Sequence, residues 1–385
     1  MAVRQVDMSR HRRSLLLCLI VCHMNSAVAG DSDTSDMKLI KLAVIFRHGD
    51  RSPVHDFPTN PYPPHDQRYW PEGKGQLTAN GKKRMDDLGG FIRKRYAHFL
   101  PDNHMYVNAR SSPTERCIDS VSHVLAAAFP SGGLGHLPIP VNSVKHGPDR
   151  MLGNTDHFPC VARDRAEELQ SAADDVKAFQ LKVQEHMKAI SNHSGTEKAD
   201  MVSIHMVYDT LFSIMNQQYE LPQWATEERM HFMSSINDKT FCIESSTHQL
   251  QRLSTGLFWH DLKSKFTSRI AYQNSFFYAT HDTRIPSLLR IVNGYDGSHP
   301  GFGATMIFEL LQHAKTNERV IRVFSLKDTF SHSPQRLIPL GCQEGSECSA
   351  DKFFEGVKVF IADEATIVKE CEILPTKSQT TGCFE

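Results

Sequence analysis

The 385-residue sequence has almost no net charge: 43 lysines and arginines stand against 44 aspartates and glutamates, leaving −1 with histidine neutral. That balance excludes partners held mainly by charge, such as nucleic acid or an anionic membrane surface. There is no CxxC pair and no His-x-x-x-His cluster, so the 21 scattered histidines offer no zinc site and no basis for a metal-dependent hydrolase. No internal repeat or low-complexity tract is present. No apolar run is long enough to span a bilayer, so no stable membrane anchor is expected. The apolar stretch nearest the start is short, residues 15–22, and follows Arg4, Arg10, Arg12 and Arg13. Ala27-Val28-Ala29 then fits a small-x-small cleavage site, so residues 1–29 read as a removable leader and Gly30 as the first mature residue.

Roughly 355 residues remain, enough for one large domain or a core with a substantial insertion. Of nine cysteines, Cys18 and Cys22 leave with the leader. The remaining Cys117, Cys160, Cys242, Cys342, Cys348, Cys371 and Cys383 are odd in number, which demands a free thiol or an intermolecular bond. Disulfides in an oxidising compartment are the expected use of the others. Asn192-His193-Ser194 is a glycosylation sequon in polar surroundings, which makes Asn192 a candidate acceptor. The protein is expected to be exported, either secreted or delivered to the lysosomal lumen.

Periodicity organises the chain. Residues 39–46 read as a buried strand, and Thr78 can cap a helix that presents Met85, Leu88, Ile92 and Tyr96 on one face. A short strand at 105–108 leads through a polar turn to a helix at 114–129, with Pro113 at or near its first position. The region 164–268 reads as helical, with periodic segments at 167–190, 201–218, 225–233 and 245–266 and no convincing strand. Strand character returns at 275–279, and 305–311 with 320–324 resembles a hairpin; a last helix covers 351–360. These units predict an α/β fold with a mostly parallel sheet flanked by helices (37–150 and 270–375) and an inserted helical domain at 160–268.

The most informative segment is Arg47-His48-Gly49-Asp50-Arg51-Ser52-Pro53, where the first strand gives way to a turn. Strand carboxyl ends are where open α/β sheets bind ligands. Paired guanidinium forks suit a phosphate, and an imidazole between them can attack phosphorus. His281-Asp282 follows the 275–279 strand, and Arg110 follows the 105–108 strand. If those strands are parallel neighbours, all three segments converge on one pocket.

Together with Gly75-Gln76-Leu77-Thr78, Ala109-Arg110-Ser111-Ser112 and Tyr278-Ala279-Thr280-His281-Asp282-Thr283, this segment resembles the histidine acid phosphatases, especially the animal prostatic, lysosomal and venom types. The likeness runs from Lys38 to Cys371 with the motifs in the same order. It implies a phosphoglycerate-mutase-like core and an acid phosphatase that hydrolyses phosphate monoesters over a broad range. His48 would form a phosphohistidine, Arg47, Arg51, Arg110 and His281 would bind the phosphoryl group, and Asp282 would act as general acid. No cofactor or metal is implied, since guanidiniums supply the charge. Substrates are expected to be small phosphomonoesters, with phosphoproteins and lysophospholipids as further candidates, and relatives often form homodimers. The family pattern also implies the disulfides Cys160–Cys371 and Cys342–Cys348.

Departures are informative. A further cysteine pair of close mammalian relatives is absent, its later position taken by Gly301-Phe302-Gly303, which leaves Cys117 and Cys242 without obvious partners and Cys383 open. The inositol polyphosphate branch carries His-Ala-Glu where this chain has His281-Asp282-Thr283, which disfavours a dedicated phytase role. A lipid-phosphate phosphatase and a catalytically idle scaffold are the competing readings. The intact Arg47, His48, Arg51, Arg110, His281 and Asp282 argue against the second.

Overall fold

The computed structural model describes residues 36–130, 138–145, 149–154, 158–268, 272–327, 329 and 332–384. The leader expected at residues 1–29 lies outside the described residues.

Strand β1 (Met37–Arg47) is apolar on both faces from Leu42 to Phe46 and buried on both, as a central strand must be. It pairs in parallel with β4 (Ser275–Thr280), which pairs in parallel with β2 (Val107–Ser111), which in turn pairs in parallel with β3 (Val141–Ser143). On its other side β1 meets β5 (Thr305–His313) antiparallel, followed by β6 (Arg319–Leu326) and β7 (Gln335–Leu337). The order β3-β2-β4-β1-β5-β6-β7 makes a single mixed sheet of seven strands.

Side-chain alternation sorts this sheet into two cores. Leu42, Val44, Phe46, Phe277 and Ala279 face helices α1 (Ala79–Arg95) and α2 (Glu115–Ala128), where Met85, Leu88, Val121 and Val124 close the layer. Ala43, Ile45, Phe276 and Tyr278 face the opposite layer, which holds Phe258, Trp259, Ile285 and Leu288. Between β3 and β4 the chain is helical: α3 (Val161–Ser171), α4 (Asp174–Ser194), α5 (Met201–Asn216), α6 (Glu227–Glu244) and α7 (His248–Thr267). Met187, Ile204, Leu211 and Ile236 form a third core there, joined by Phe57 and Trp70 from the β1–α1 loop. Helices α8 (Ile285–Ile291), α9 (Ala350–Gly356) and α10 (Glu364–Glu370) complete the set of described helices.

Several boundaries differ from the sequence reading. The strand expected at 105–108 starts at Val107 and runs to Ser111, after a 3-10 turn at His104–Tyr106. Its partner β4 sets that register, pairing Val107 with Ser275 and Ser111 with Ala279. Helix α2 begins at Glu115, one residue later than read, with Thr114 as N-cap and Pro113 immediately before that cap. The 167–190 segment is two helices, and α6 runs a further turn and more beyond 233. The edge strands β3 and β7 and helix α10 carry too few residues for a periodic signal.

Both expected disulfides are present, Cys160–Cys371 and Cys342–Cys348. A third joins Cys242 to Cys383, and Cys117 is a buried free thiol. Peptide mapping after alkylation of the denatured, unreduced chain from Gly30 onward is expected to label Cys117 alone. Cys383→Ser is expected to lower the melting temperature, since the Cys242–Cys383 bond spans a sequence separation of 141 and such a link contributes roughly 5 kcal/mol in the chain-entropy model.

Candidate active site

The carboxyl ends of β1, β4 and β2 are level, with Arg47 opposite Thr280 and Ser111 opposite Ala279. The residues that follow these strands therefore meet at one edge of the sheet. The His48 backbone is held from both sides: its N–H donates to Thr280 O at 3.1 Å and its carbonyl accepts from Gly303 N at 3.1 Å. Beneath it, Gly49 lies against the first turn of α1, where an added Cβ would meet Gly81 O at 2.6 Å. Only glycine permits that approach.

The His48 ring is buried, with Nδ1 2.8 Å from Gly49 O. A carbonyl only accepts, so Nδ1 carries the proton and Nε2 is left with its lone pair. Burial, followed by Arg116, Arg47, His281 and Arg51, holds the His48 pKa well below the ordinary histidine value. The arginines thus act in the same direction as desolvation and rank second to it. A neutral imidazole with a free Nε2 can act as a nucleophile at acid pH.

Three guanidiniums accompany it. Arg47 donates to Pro300 O at 2.6 Å and contacts Asp282 Oδ2 at 2.5 Å; burial leads the causes that bring its pKa to about 10. Arg51 grips Asp209 of α5 with one nitrogen, at 2.8 and 3.0 Å to the two carboxylate oxygens. Arg116, in the first turn of α2, approaches His281 Nδ1 at 3.4 Å and donates to Gly75 O at 3.4 Å. The Nε atoms of all three are buried and have no hydrogen-bond partner. Arg110, which lies elsewhere, leaves its Nε unpaired as well, so what marks the site is three guanidiniums converging on one buried imidazole, an arrangement suited to an anion. The Phe302 ring floors the site, 4.3 Å from the Arg47 guanidinium and 5.9 Å from that of Arg51.

His281 is buried, with Nε2 2.8 Å from Ser112 Oγ, and its ring centre is 5.7 Å from that of His48. The Cys117 sulfur lies 3.6 Å from His281 Nε2, and burial pushes that thiol up to about 12. Asp282 accepts from Thr283 N at 3.0 Å and faces Arg47. It is not the cap of α8, whose N-cap is Arg284. Burial alone would raise the Asp282 pKa, but Arg47 and then His299 hold it well below the usual carboxylate range. Arg284 fixes this turn by donating to Gly153 O at 2.8 and 3.0 Å.

Arg110 is not brought to this site. It lies inside β2 opposite Tyr278, on the face that carries the Trp259 core, and pairs with Asp149 at 2.9 Å. Arg116, which the sequence reading missed, is the third arginine that stands beside His48 and His281. Starting the strand at Val107 and counting by two would have turned Arg110 away. His299, Asp209 and Phe302 were also missed; they stand in loops or helices that carry no motif. His299 Nε2 is 3.2 Å from Arg47 Nη1 and 3.8 Å from Asp282 Oδ2.

Residues 38–325 match the profile of the histidine phosphatase superfamily, branch 2. The chain belongs to this family. Mouse prostatic acid phosphatase is 30% identical over 343 residues, covering 84% of this chain and 87% of that protein. Rat lysosomal acid phosphatase is 28% identical over 357 residues, covering 88% and 81%. Among solved structures, Klebsiella sp. ASR1 phytase superposes with a TM-score of 0.68 at 15% identity over 90% of this chain and all of that one, a likeness of fold. This histidine phosphatase is thus an enzyme that hydrolyses phosphate monoesters, and its relatives are acid phosphatases. Among the described residues, no group of three His, Cys, Asp or Glu is arranged to hold a metal ion, and no helix is long and apolar enough to cross a membrane. The Asn192 side chain is exposed, in the last turn of α4.

Proposed function

We propose that this histidine phosphatase is an acid phosphatase of broad range that works through a phosphohistidine on His48. The observation that carries the reading is the convergence of Arg47, Arg51 and Arg116 on a buried His48 whose Nε2 keeps its lone pair. Arg47, Arg51 and Arg116 bind the phosphoryl oxygens, with His281 as a further donor. His48 Nε2 attacks phosphorus, the P–O bond to the leaving group breaks, and Asp282 gives that oxygen its proton. A water, deprotonated by Asp282, then attacks the phosphohistidine; the P–N bond breaks and inorganic phosphate leaves.

Asp282 is ionised in the free enzyme, because Arg47 pairs with it. A bound phosphoryl dianion competes for Arg47 and places negative charge beside the carboxylate, and both effects raise its pKa toward a proton-donating state. The three disulfides fit an exported or lumenal protein.

The test is Asp282→Asn in single turnover. Phosphorylation by alkyl phosphates is expected to slow by about 10²-fold or more, while p-nitrophenyl phosphate, whose leaving group hardly needs a proton, is largely spared. Equal losses on both esters would remove Asp282 from the acid role. Wild-type turnover of both esters is expected to survive chelator unchanged.

A further inference from the structure

The loop between α8 and β5 places a second imidazole beside Asp282, and the mechanism above leaves it unused. His299 Nε2 lies 3.2 Å from Arg47 Nη1, a group that only donates, and 3.8 Å from Asp282 Oδ2, a group that when ionised only accepts. One nitrogen cannot serve both neighbours in one protonation state. Neutral, Nε2 accepts from Arg47; protonated, it turns its N–H to Asp282. The longer distance is beyond a hydrogen bond but within an ion pair, so a small ring movement exchanges the partners.

The surroundings hold the ring in that position. Its backbone N–H donates to Asp238 Oδ1 of α6 at 2.7 Å, and Phe241 of α6 packs 4.6 Å from the ring centre, with Phe212 of α5 at 6.0 Å. The charged groups that face it are Arg47 from β1, Asp282 from the β4–α8 turn, Asp238 from α6 and Asp209 from α5. A cavity of about 90 Å³, walled in part by His299, Asp296, Ser298 and Lys327, lies behind it and has room for water.

We propose that His299 is a positioning residue that loads the ionised Asp282 with the proton it gives to the leaving group; the proton that Asp282 later takes from water is released to solvent when phosphate leaves and Arg47 pairs with the carboxylate again. The proposal rests on Asp282 being the general acid. When the phosphoryl dianion draws Arg47 to itself, Nε2 loses its donor and gains an anionic neighbour, so a proton from solvent is stabilised there. That proton passes from Nε2, which keeps the electron pair, to the Asp282 carboxylate: imidazolium becomes imidazole and carboxylate becomes carboxylic acid. In the free enzyme, burial first and then Arg47 lower the ring's pKa to about 4 against the pull of Asp282, so the ring waits neutral at mildly acid pH.

His299→Gln tests this, because the amide oxygen still accepts from Arg47 but the side chain carries no titratable proton. Single-turnover phosphorylation is measured from pH 4 to 7 with 2-glycerol phosphate and p-nitrophenyl phosphate, with inhibition by inorganic phosphate as the check that Arg47 is in place. The loss on the alkyl ester is expected to exceed that on the aryl ester by about tenfold or more. In the wild type the alkyl-to-aryl rate ratio is expected to rise toward pH 4, and in His299→Gln that slope should flatten. His299→Asn supplies the same readout if the glutamine does not fold, and the wild-type ratio needs no variant. Equal losses on both esters with an unchanged ratio profile would reduce His299 to a packing partner of Arg47. Running Asp282→Asn in parallel separates the two failures: leaving-group dependence there, without it in His299→Gln, overturns only this proposal, whereas its absence in Asp282→Asn overturns both.

Discussion

His48→Ala is expected to lower turnover by at least about 10⁴-fold, on the scale seen when an enzyme's sole nucleophile is removed. The reason is geometric: Nδ1 is committed to Gly49 O, so Nε2 is the one ring nitrogen open to phosphorus, and alanine offers no substitute. Acid-labile phosphate trapped by rapid quench should appear in the wild type and be absent from the variant. A phosphorylated His48→Ala protein would place the covalent step elsewhere. Stability supplies an independent check with a definite sign. The buried ring titrates well below the ordinary value of 6.5, so between its folded pKa and 6.5 the unfolded chain binds a proton that the folded chain does not. Stability from this group is therefore intact above about pH 6.5 and falls as pH drops through that value. The variant lacks the effect. Relative to wild type, its melting temperature should look better at pH 5 than at pH 7.5, whatever the cavity costs at both.

Arg116→Ala should reduce kcat/KM by roughly 10²–10³-fold, the range for losing a preorganised donor to a developing oxyanion. Arg116→Lys keeps a charge but not the fork, and a loss of at least about tenfold is still expected. A second signature goes with it. Arg116 is the strongest of the charges that lower the His48 pKa, so its removal lets that pKa rise and moves the acid limb of the rate profile to higher pH. Arg110→Ala should behave differently. It removes the charged partner of the buried Asp149 carboxylate, which keeps the Met151 and Leu152 N–H donors, at a cost of about 1–3 kcal/mol of stability, while kcat/KM stays within about tenfold of wild type. Severe loss in Arg110→Ala together with near-normal kinetics in Arg116→Ala would reverse the assignment.

The contrast between these two arginines marks where local pattern stops being sufficient. The strand at 39–46, the turn from Arg47 to Arg51 and the His281-Asp282 pair were legible because each is a short run in which apolar periodicity, a glycine and charged residues lie side by side on the chain. The 305–324 hairpin was legible for the same reason. Arg110 and Arg116 are only six positions apart, and choosing between them requires the register of β2, which pairing with β4 sets. A strand's side chains alternate, so starting at Val107 turns Arg110 to the far face, while the first turn of α2 brings Arg116 back to the near edge.

The remaining site groups come from still farther away. Asp209 reaches Arg51 across 158 residues, and His299 reaches Arg47 across 252. Neither carries a local signature, since an aspartate on a helix and a histidine in a turn are ordinary in sequence. Cys242 found Cys383 only in three dimensions, because an odd set of cysteines admits many pairings and spacing does not choose among them. The sequence by itself therefore determined the family, the α/β framework and the loop that carries His48, all of which are written in contiguous residues. Tertiary structure decided which arginine completes the cradle, which proton state each imidazole holds and what stands beside Asp282. Those depend on strand register, burial and charges brought together from distant segments, and none of these exists until the chain is folded.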